Sequence, residues 1–78
     1  MVMPRYFFHI RDRGNFIPDE EGMELADLHA ARSEATVSAH AMLADAIADA
    51  DDISHQVIEV SDGSGRVLAE LALRELEF

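Results

Sequence analysis

The alanine-rich run over residues 27–50 constrains this chain more than any other stretch. Leu28, Ala31, Ala35, Ala39, Met42, Leu43, Ala46, Ile47 and Ala50 recur at three- and four-residue steps, the period of one helix face. Asp27 stands just ahead of the first of them, where a carboxylate accepts from the free N–H groups of the opening turn. A helix of about 24 residues is about 36 Å long at 1.5 Å per residue. No other stretch supports an element of that length, so the remaining segments must be arranged against it.

With 78 residues the chain is read as one domain over 1–78, because a chain of this size buries only about 60% of its unfolded surface and has no apolar material for two cores. Hydrophobic residues make up 49%, enough for a small core that gains from added burial in a second copy. Cysteine is absent, which excludes disulfides and thiolate metal sites and fits a reducing cytoplasm. Sixteen acidic residues stand against six basic ones, for a net charge of −10, and all six basic residues are arginine. Such a surface repels phosphates, so direct nucleic-acid binding and anionic membrane are disfavoured, while a basic protein partner is compatible with it. No apolar stretch reaches the roughly 20 residues of a membrane span, and no basic region followed by an apolar block marks a signal peptide.

Met3 can serve as the start, which leaves Met1 and Val2 as an extension, and residues 1–3 are expected to be unstructured. Residues 5–11, Arg-Tyr-Phe-Phe-His-Ile-Arg, are aromatic-rich and bounded by Pro4 and by Asp12-Arg13-Gly14-Asn15, the pattern of a strand and turn. Alternation puts Tyr6, Phe8 and Ile10 on one face and Arg5, Phe7, His9 and Arg11 on the other. Phe16 and Ile17 begin a return strand that Pro18-Asp19-Glu20-Glu21-Gly22 interrupts, since proline lacks the donor a central ladder needs. Met23 and Leu25 then suggest that pairing resumes. After the helix, residues 56–61 form a third strand with Ile58 and Val60 on one face. Asp62-Gly63-Ser64-Gly65 turns the chain into a fourth strand at 66–73. Strict alternation sends Val67, Ala69, Leu71 and Leu73 one way and Arg66, Leu68, Glu70 and Ala72 the other. Residues 74–78 read as a strand end, a short helical turn or a frayed tail. The expected fold is α+β, in the order β-β-α-β-β, with the helix packed on one face of an antiparallel four-stranded sheet. Met42, Leu43 and Ile47 are expected to fill the wider end of that contact.

Two places stand out. One helix covers only one face of such a sheet, so Phe7, Val57 and Leu68, interspersed with His9, Glu59 and Glu70, form a candidate interaction surface on the other. Two copies joined there, or along edge strands, make a symmetric homodimer. The second place is the helix exit, where Asp45, Asp49, Asp51 and Asp52 crowd the negative end of the helix dipole, at a cost of about 0.3–1 kcal/mol each for exposed carboxylates. A cation or a basic partner relieves that repulsion. The run nevertheless lacks the alternating ligands and central glycine of a calcium loop, so the plainer reading is a solvated end, with no metal or cofactor expected. His29 and His40 are eleven residues apart, about 16 Å along the helix, too far to share an ion. His9, with Glu59 or Glu70 across from it, offers one His–carboxylate pair; lacking a pocket and positioning groups, this reads as structural, and acid–base catalysis there is the remote alternative. No nucleophile motif, phosphate loop or zinc spacing occurs.

The opening Met3-Pro-Arg-Tyr-Phe-Phe-His9 carries a resemblance. With Pro18-Asp-Glu-Glu-Gly22, Glu24-Leu25, Asp27-Leu28, Ala30-Ala31-Arg32, Asp62 and Gly65-Arg-Val-Leu68, it resembles a family of short uncharacterised bacterial proteins that begin M-P-R-Y-F-F-H. The resemblance spans the chain from Met3 and implies a domain of unknown function, with no site residues to carry over. A weaker resemblance is to antitoxins with a partial RNase-H-like fold, in which a strand, an extended Pro-Asp-x-x-Gly segment and a Glu- and Ala-rich helix follow in the same order as residues 16–46. Those antitoxins carry a DNA-binding extension that has no counterpart in residues 1–78, so transcriptional autoregulation is not expected. The expectation is a non-enzymatic cytoplasmic interaction module that forms a homodimer; the alternative is an antitoxin-like or nucleic-acid-mimicking protein that binds a basic partner.

Overall fold

A computed structural model describes residues 2–76. Asp27 caps the helix: its Oδ1 accepts from the Ala30 N–H at 2.9 Å, and α1 runs Leu28–Ala48. Ala31, Ala35 and Ala39 are essentially without exposure and pack with Tyr6, Ile58, Val60 and Leu73. Alanine adds only a methyl group beyond the backbone, so this stripe lets the helix approach the sheet closely while the large side chains come from the strands. Leu28, Met42 and Leu43 flank the same core.

Ile47 departs from expectation. It is 67% exposed, whereas Ala46 is buried. At 100° per residue Ala46 lies within about 20° of the line through Ala39, and Ile47 is turned about 80° away. The helix then closes with Ala50 at φ 55°, its N–H bonded to the Ile47 carbonyl and the Asp51 N–H to the Ala46 carbonyl. This is the Schellman pattern, with alanine where glycine is usual.

The sheet is antiparallel, with the order β2 (Asn15–Ile17), β1 (Arg5–Asp12), β4 (Val57–Ser61), β5 (Val67–Ala72), and β3 (Met23–Glu24) as a further pairing to β1. The α+β fold and the β-β-α-β-β order thus stand as expected. Arg13 (φ 50°) and Gly14 (φ 90°) make the two-residue loop whose left-handed geometry matches strand twist. Asp12 then faces Asn15 and Arg11 faces Phe16. Pro18 ends β2, and the chain rejoins β1 where Met23 pairs with Tyr6 and Glu24 with Arg5. In the centre, Phe8 faces Val60, His9 faces Glu59 and Ile10 faces Ile58.

Strict alternation fails in β5. Val60 pairs with Ala69 but Ser61 pairs with Val67, so the register shifts and Leu68 is the extra residue of a β-bulge. Leu68 consequently packs against the core cluster, while Val67, opposite Ser61, is 44% exposed. The placement of Leu68 on the uncovered face is therefore corrected: one inserted residue reverses the faces for everything before it. Beyond β5, the Leu73 N–H reaches the Gln56 carbonyl and a 3-10 turn spans Leu73–Leu76, with Leu73 fully buried. The expected tail thus folds through Leu76; residues 77–78, like residue 1 of the expected extension, lie outside the described residues. No helix among the described residues is long and apolar enough to cross a membrane.

Candidate functional site

Opposite the helix, register and alternation bring Phe7, His9 and Arg11 of β1 beside Phe16 of β2, Val57 and Glu59 of β4, and Val67 and Glu70 of β5. The aromatic rings form a row. Phe7 and His9 stack nearly parallel with centroids 6.1 Å apart, and His9 meets Phe16 at 5.1 Å and a 48° tilt. The Arg11 guanidinium lies 4.8 Å over the Phe16 ring, within cation–π range. Its Nε also donates to Glu59 Oε2 at 2.5 Å. The Glu59 side chain is only 8% exposed against 53% for Arg11, so the arginine lies across an otherwise buried carboxylate.

The segment after Pro18 is fastened to one flank of this row by Asp19. Its Oδ2 accepts from the Phe8 N–H at 3.1 Å, and its Oδ1 from the N–H groups of Glu21 and Gly22, each at 3.2 Å. Its own N–H donates to His9 Nδ1 at 2.9 Å. Burial pushes the Asp19 carboxyl up, but the N–H groups of Phe8, Gly22 and Glu21 together with the His9 charge outweigh it and hold the group below the ordinary value. Gly22 has φ +70°, and a Cβ there would come within 2.9 Å of Arg5 Cγ, Phe7 Cε2 and the Tyr6 carbonyl oxygen. Glycine is required by conformation and by space at once.

Of the expected surface, Phe7, His9, Val57, Glu59 and Glu70 share this face and Leu68 does not. His9 does face Glu59 across the strands, but Glu59 is taken by Arg11 and His9 Nδ1 by Asp19. Phe16 and Val67 complete the face and were not legible as members of it. Phe16 could have been found by treating Arg13-Gly14 as a two-residue turn; no local signal marks the bulge that delivers Val67.

Asp45, Asp49, Asp51 and Asp52 all lie exposed around the helix exit. Asp52 accepts from the Ser54 N–H at 3.0 Å, and the hydrogen bonds from Ser54 are the main cause that holds its carboxyl below the ordinary value. Among the described residues no three His or acidic side chains converge to hold a metal ion. A different polar cluster joins the loop before β4 to the end of β1: His55 Nε2 lies 2.5 Å from Asp12 Oδ1, and Gln56 Nε2 donates to Asp12 Oδ2 at 3.1 Å. Asp12 lies more than forty residues from His55 and Gln56 in sequence, so only the β1–β4 register reveals the cluster. Between α1 and β5 a groove of about 240 Å³ has an apolar floor of Ala35, Val60, Ala69 and Leu71, with Arg32 and Glu70 also lining it.

Comparison with curated proteins and with solved structures gives no match. A family model does match, over residues 5–74, which takes in every strand and the helix. The chain therefore belongs to the family described as Domain of unknown function (DUF6894).

Proposed function

We propose that this protein is a non-catalytic cytoplasmic module that works by protein–protein contact and forms a homodimer through the face of the sheet that α1 leaves uncovered. The observation that carries this reading is the Phe7–His9–Phe16 row, flanked by Val57 and Val67, on one face of a strongly acidic chain. The strands present Arg5 and Arg11 against Glu24, Glu59 and Glu70 on that face, and the Asp19 carboxylate flanks it, a net of two negative charges, compared with −10 for the chain. A second copy meets less repulsion there than against an acidic surface, and the added burial supplements a small core. Sedimentation equilibrium tests it. A mass that rises with concentration toward the dimer, and that Phe7→Asp returns to monomer while the fold is retained, supports the reading; monomer at every concentration up to the millimolar range removes it.

A second reading rests on the exposed Asp45, Asp49, Asp51 and Asp52 cluster: an antitoxin-like or nucleic-acid-mimicking role in which these carboxylates meet a basic protein. It requires capture of a basic partner that weakens with salt and is lost when these four aspartates are changed to asparagine.

A further inference from the structure

The hydrogen bond between the Asp19 N–H and His9 Nδ1 dictates the protonation state of an imidazole in the middle of the aromatic row. A ring nitrogen that accepts an N–H bond carries no proton, so the neutral ring has its hydrogen on Nε2. A second proton must go to Nδ1. That nitrogen then becomes a donor facing another donor, and the 2.9 Å contact cannot persist.

Which side yields follows from what holds each. The Asp19 backbone is fixed by its own carboxylate, which takes the N–H groups of Phe8, Glu21 and Gly22 and, with its titration displaced to lower pH, remains ionised while imidazoles titrate, between about pH 5 and 8. The His9 ring is held by the Asp19 N–H and by contact with Phe7 and Phe16. The charged groups around it are the Asp19 carboxylate, Glu59 directly across, Glu70 one strand further and Arg11 two residues along β1. Three are acidic, so an imidazolium has carboxylates to turn toward once the backbone bond is lost.

We propose that His9 and Asp19 form a proton-operated latch: the second proton on His9 breaks the bond from the Asp19 N–H, turns the ring out of the Phe7–His9–Phe16 row, and thereby weakens self-association on acidification. The latch stands on the monomer's geometry alone; its effect on assembly rests on the homodimer reading above.

The two are separated by measuring the latch in dilute protein. Imidazole ¹⁵N shifts are expected to show Nδ1 unprotonated at neutral pH. As His9 titrates, the Asp19 amide shifts with the same midpoint, and its exchange protection, corrected for the intrinsic pH dependence, falls by about two- to tenfold, the range for loss of one hydrogen bond. A proton on Nδ1 at neutral pH, or an Asp19 amide indifferent to the His9 titration, overturns the latch. Sedimentation across the same range then tests the output. Wild type dissociates at the His9 midpoint, and His9→Phe, which keeps a ring in the row but takes no proton, does not. A working latch in a chain that is monomeric at every pH removes the homodimer reading and the assembly effect together, and leaves the latch itself established.

Discussion

Arg11, half exposed, lies across the carboxylate of Glu59, which is almost wholly buried on the face away from the helix. The two residues are 48 positions apart and meet because Arg11 pairs with Val57, two positions before Glu59, on neighbouring strands. Glu59 at a buried position is tolerable only while a cation and a donor meet it.

Removing the cation alone should therefore be costly. Arg11→Met leaves Glu59 unpaired, and we expect a loss of about 1–3 kcal/mol, below the 3–5 kcal/mol of a fully buried pair because the arginine is partly in water. Arg11→Met with Glu59→Met should recover most of that loss. Urea unfolding midpoints of the single and double variants check this, and an unchanged single variant would contradict the pairing.

Gly22 and Gly14 separate two reasons for a glycine. Both have positive φ, but only Gly22 is hemmed in, by Arg5, Phe7 and the Tyr6 carbonyl; nothing approaches within 4 Å at Gly14. Gly14→Ala should cost about 1 kcal/mol, the conformational penalty alone. Gly22→Ala adds a clash with backbone and should cost at least about 2 kcal/mol, with changed amide shifts at Phe8 and Asp19. Equal losses at the two positions would show that the segment after Pro18 does not lie against β1.

What could be read from sequence divides along physical lines. The helix was legible because both of its signals are local: the alanine spacing and the Asp27 cap. The hairpins were legible because turn residues mark them. The faces of β1 followed from simple alternation and held. In β5 alternation failed, since a bulge depends on what the partner strand does at Ser61, and nothing within residues 66–73 announces it. The periodicity points Ile47 inward because a three- or four-residue step tolerates an 80° drift that packing does not. The Asp19 clamp, the Arg11–Glu59 pair and the Asp12–His55–Gln56 cluster all join distant segments, and each needed the register before it could be seen.

The bulge makes its own prediction. With Leu68 against the core and Val67 at 44% exposure, Leu68→Ala should destabilise by about 2 kcal/mol, at the low end for a leucine because the side chain is only partly buried. Val67→Ala should stay within about 0.5 kcal/mol. A regularly alternating strand predicts the opposite order, so thermal unfolding of the two variants decides between them.

Ala50 holds φ 55° at the end of α1, a conformation in which a Cβ meets the following carbonyl. Replacing it with glycine relieves the strain and preserves the closing bonds from Ala50 and Asp51 to Ile47 and Ala46. Ala50→Gly should stabilise by about 0.5–1 kcal/mol, offset in part by the greater freedom of glycine when unfolded. Asp27→Ala, at the other end, should destabilise by about 1 kcal/mol through loss of the bond to the Ala30 N–H. Denaturant melts of the pair should move in opposite directions.

Asp19 gives a defined pH dependence. Its carboxyl lies below the ordinary value of 3.8 in the folded chain, since the N–H bonds and the His9 charge overcome the opposing effect of burial. A depressed folded value means the unfolded chain binds its proton first as pH falls. The stabilisation is therefore complete well above pH 3.8, begins to fade as the unfolded carboxyl titrates, and is gone below the folded value. Asp52 and Asp62 are also lowered, chiefly by hydrogen bonds from Ser54 and Ser64, and act in the same window. Comparison with Asp19→Asn isolates the one group. The variant should be less stable than wild type above about pH 5, and the margin should close as pH drops below about 4. Unfolding free energies measured at intervals between pH 7 and 3 test this, and a margin that persists unchanged to pH 3 would show that the ionised Asp19 does not fasten this segment to β1.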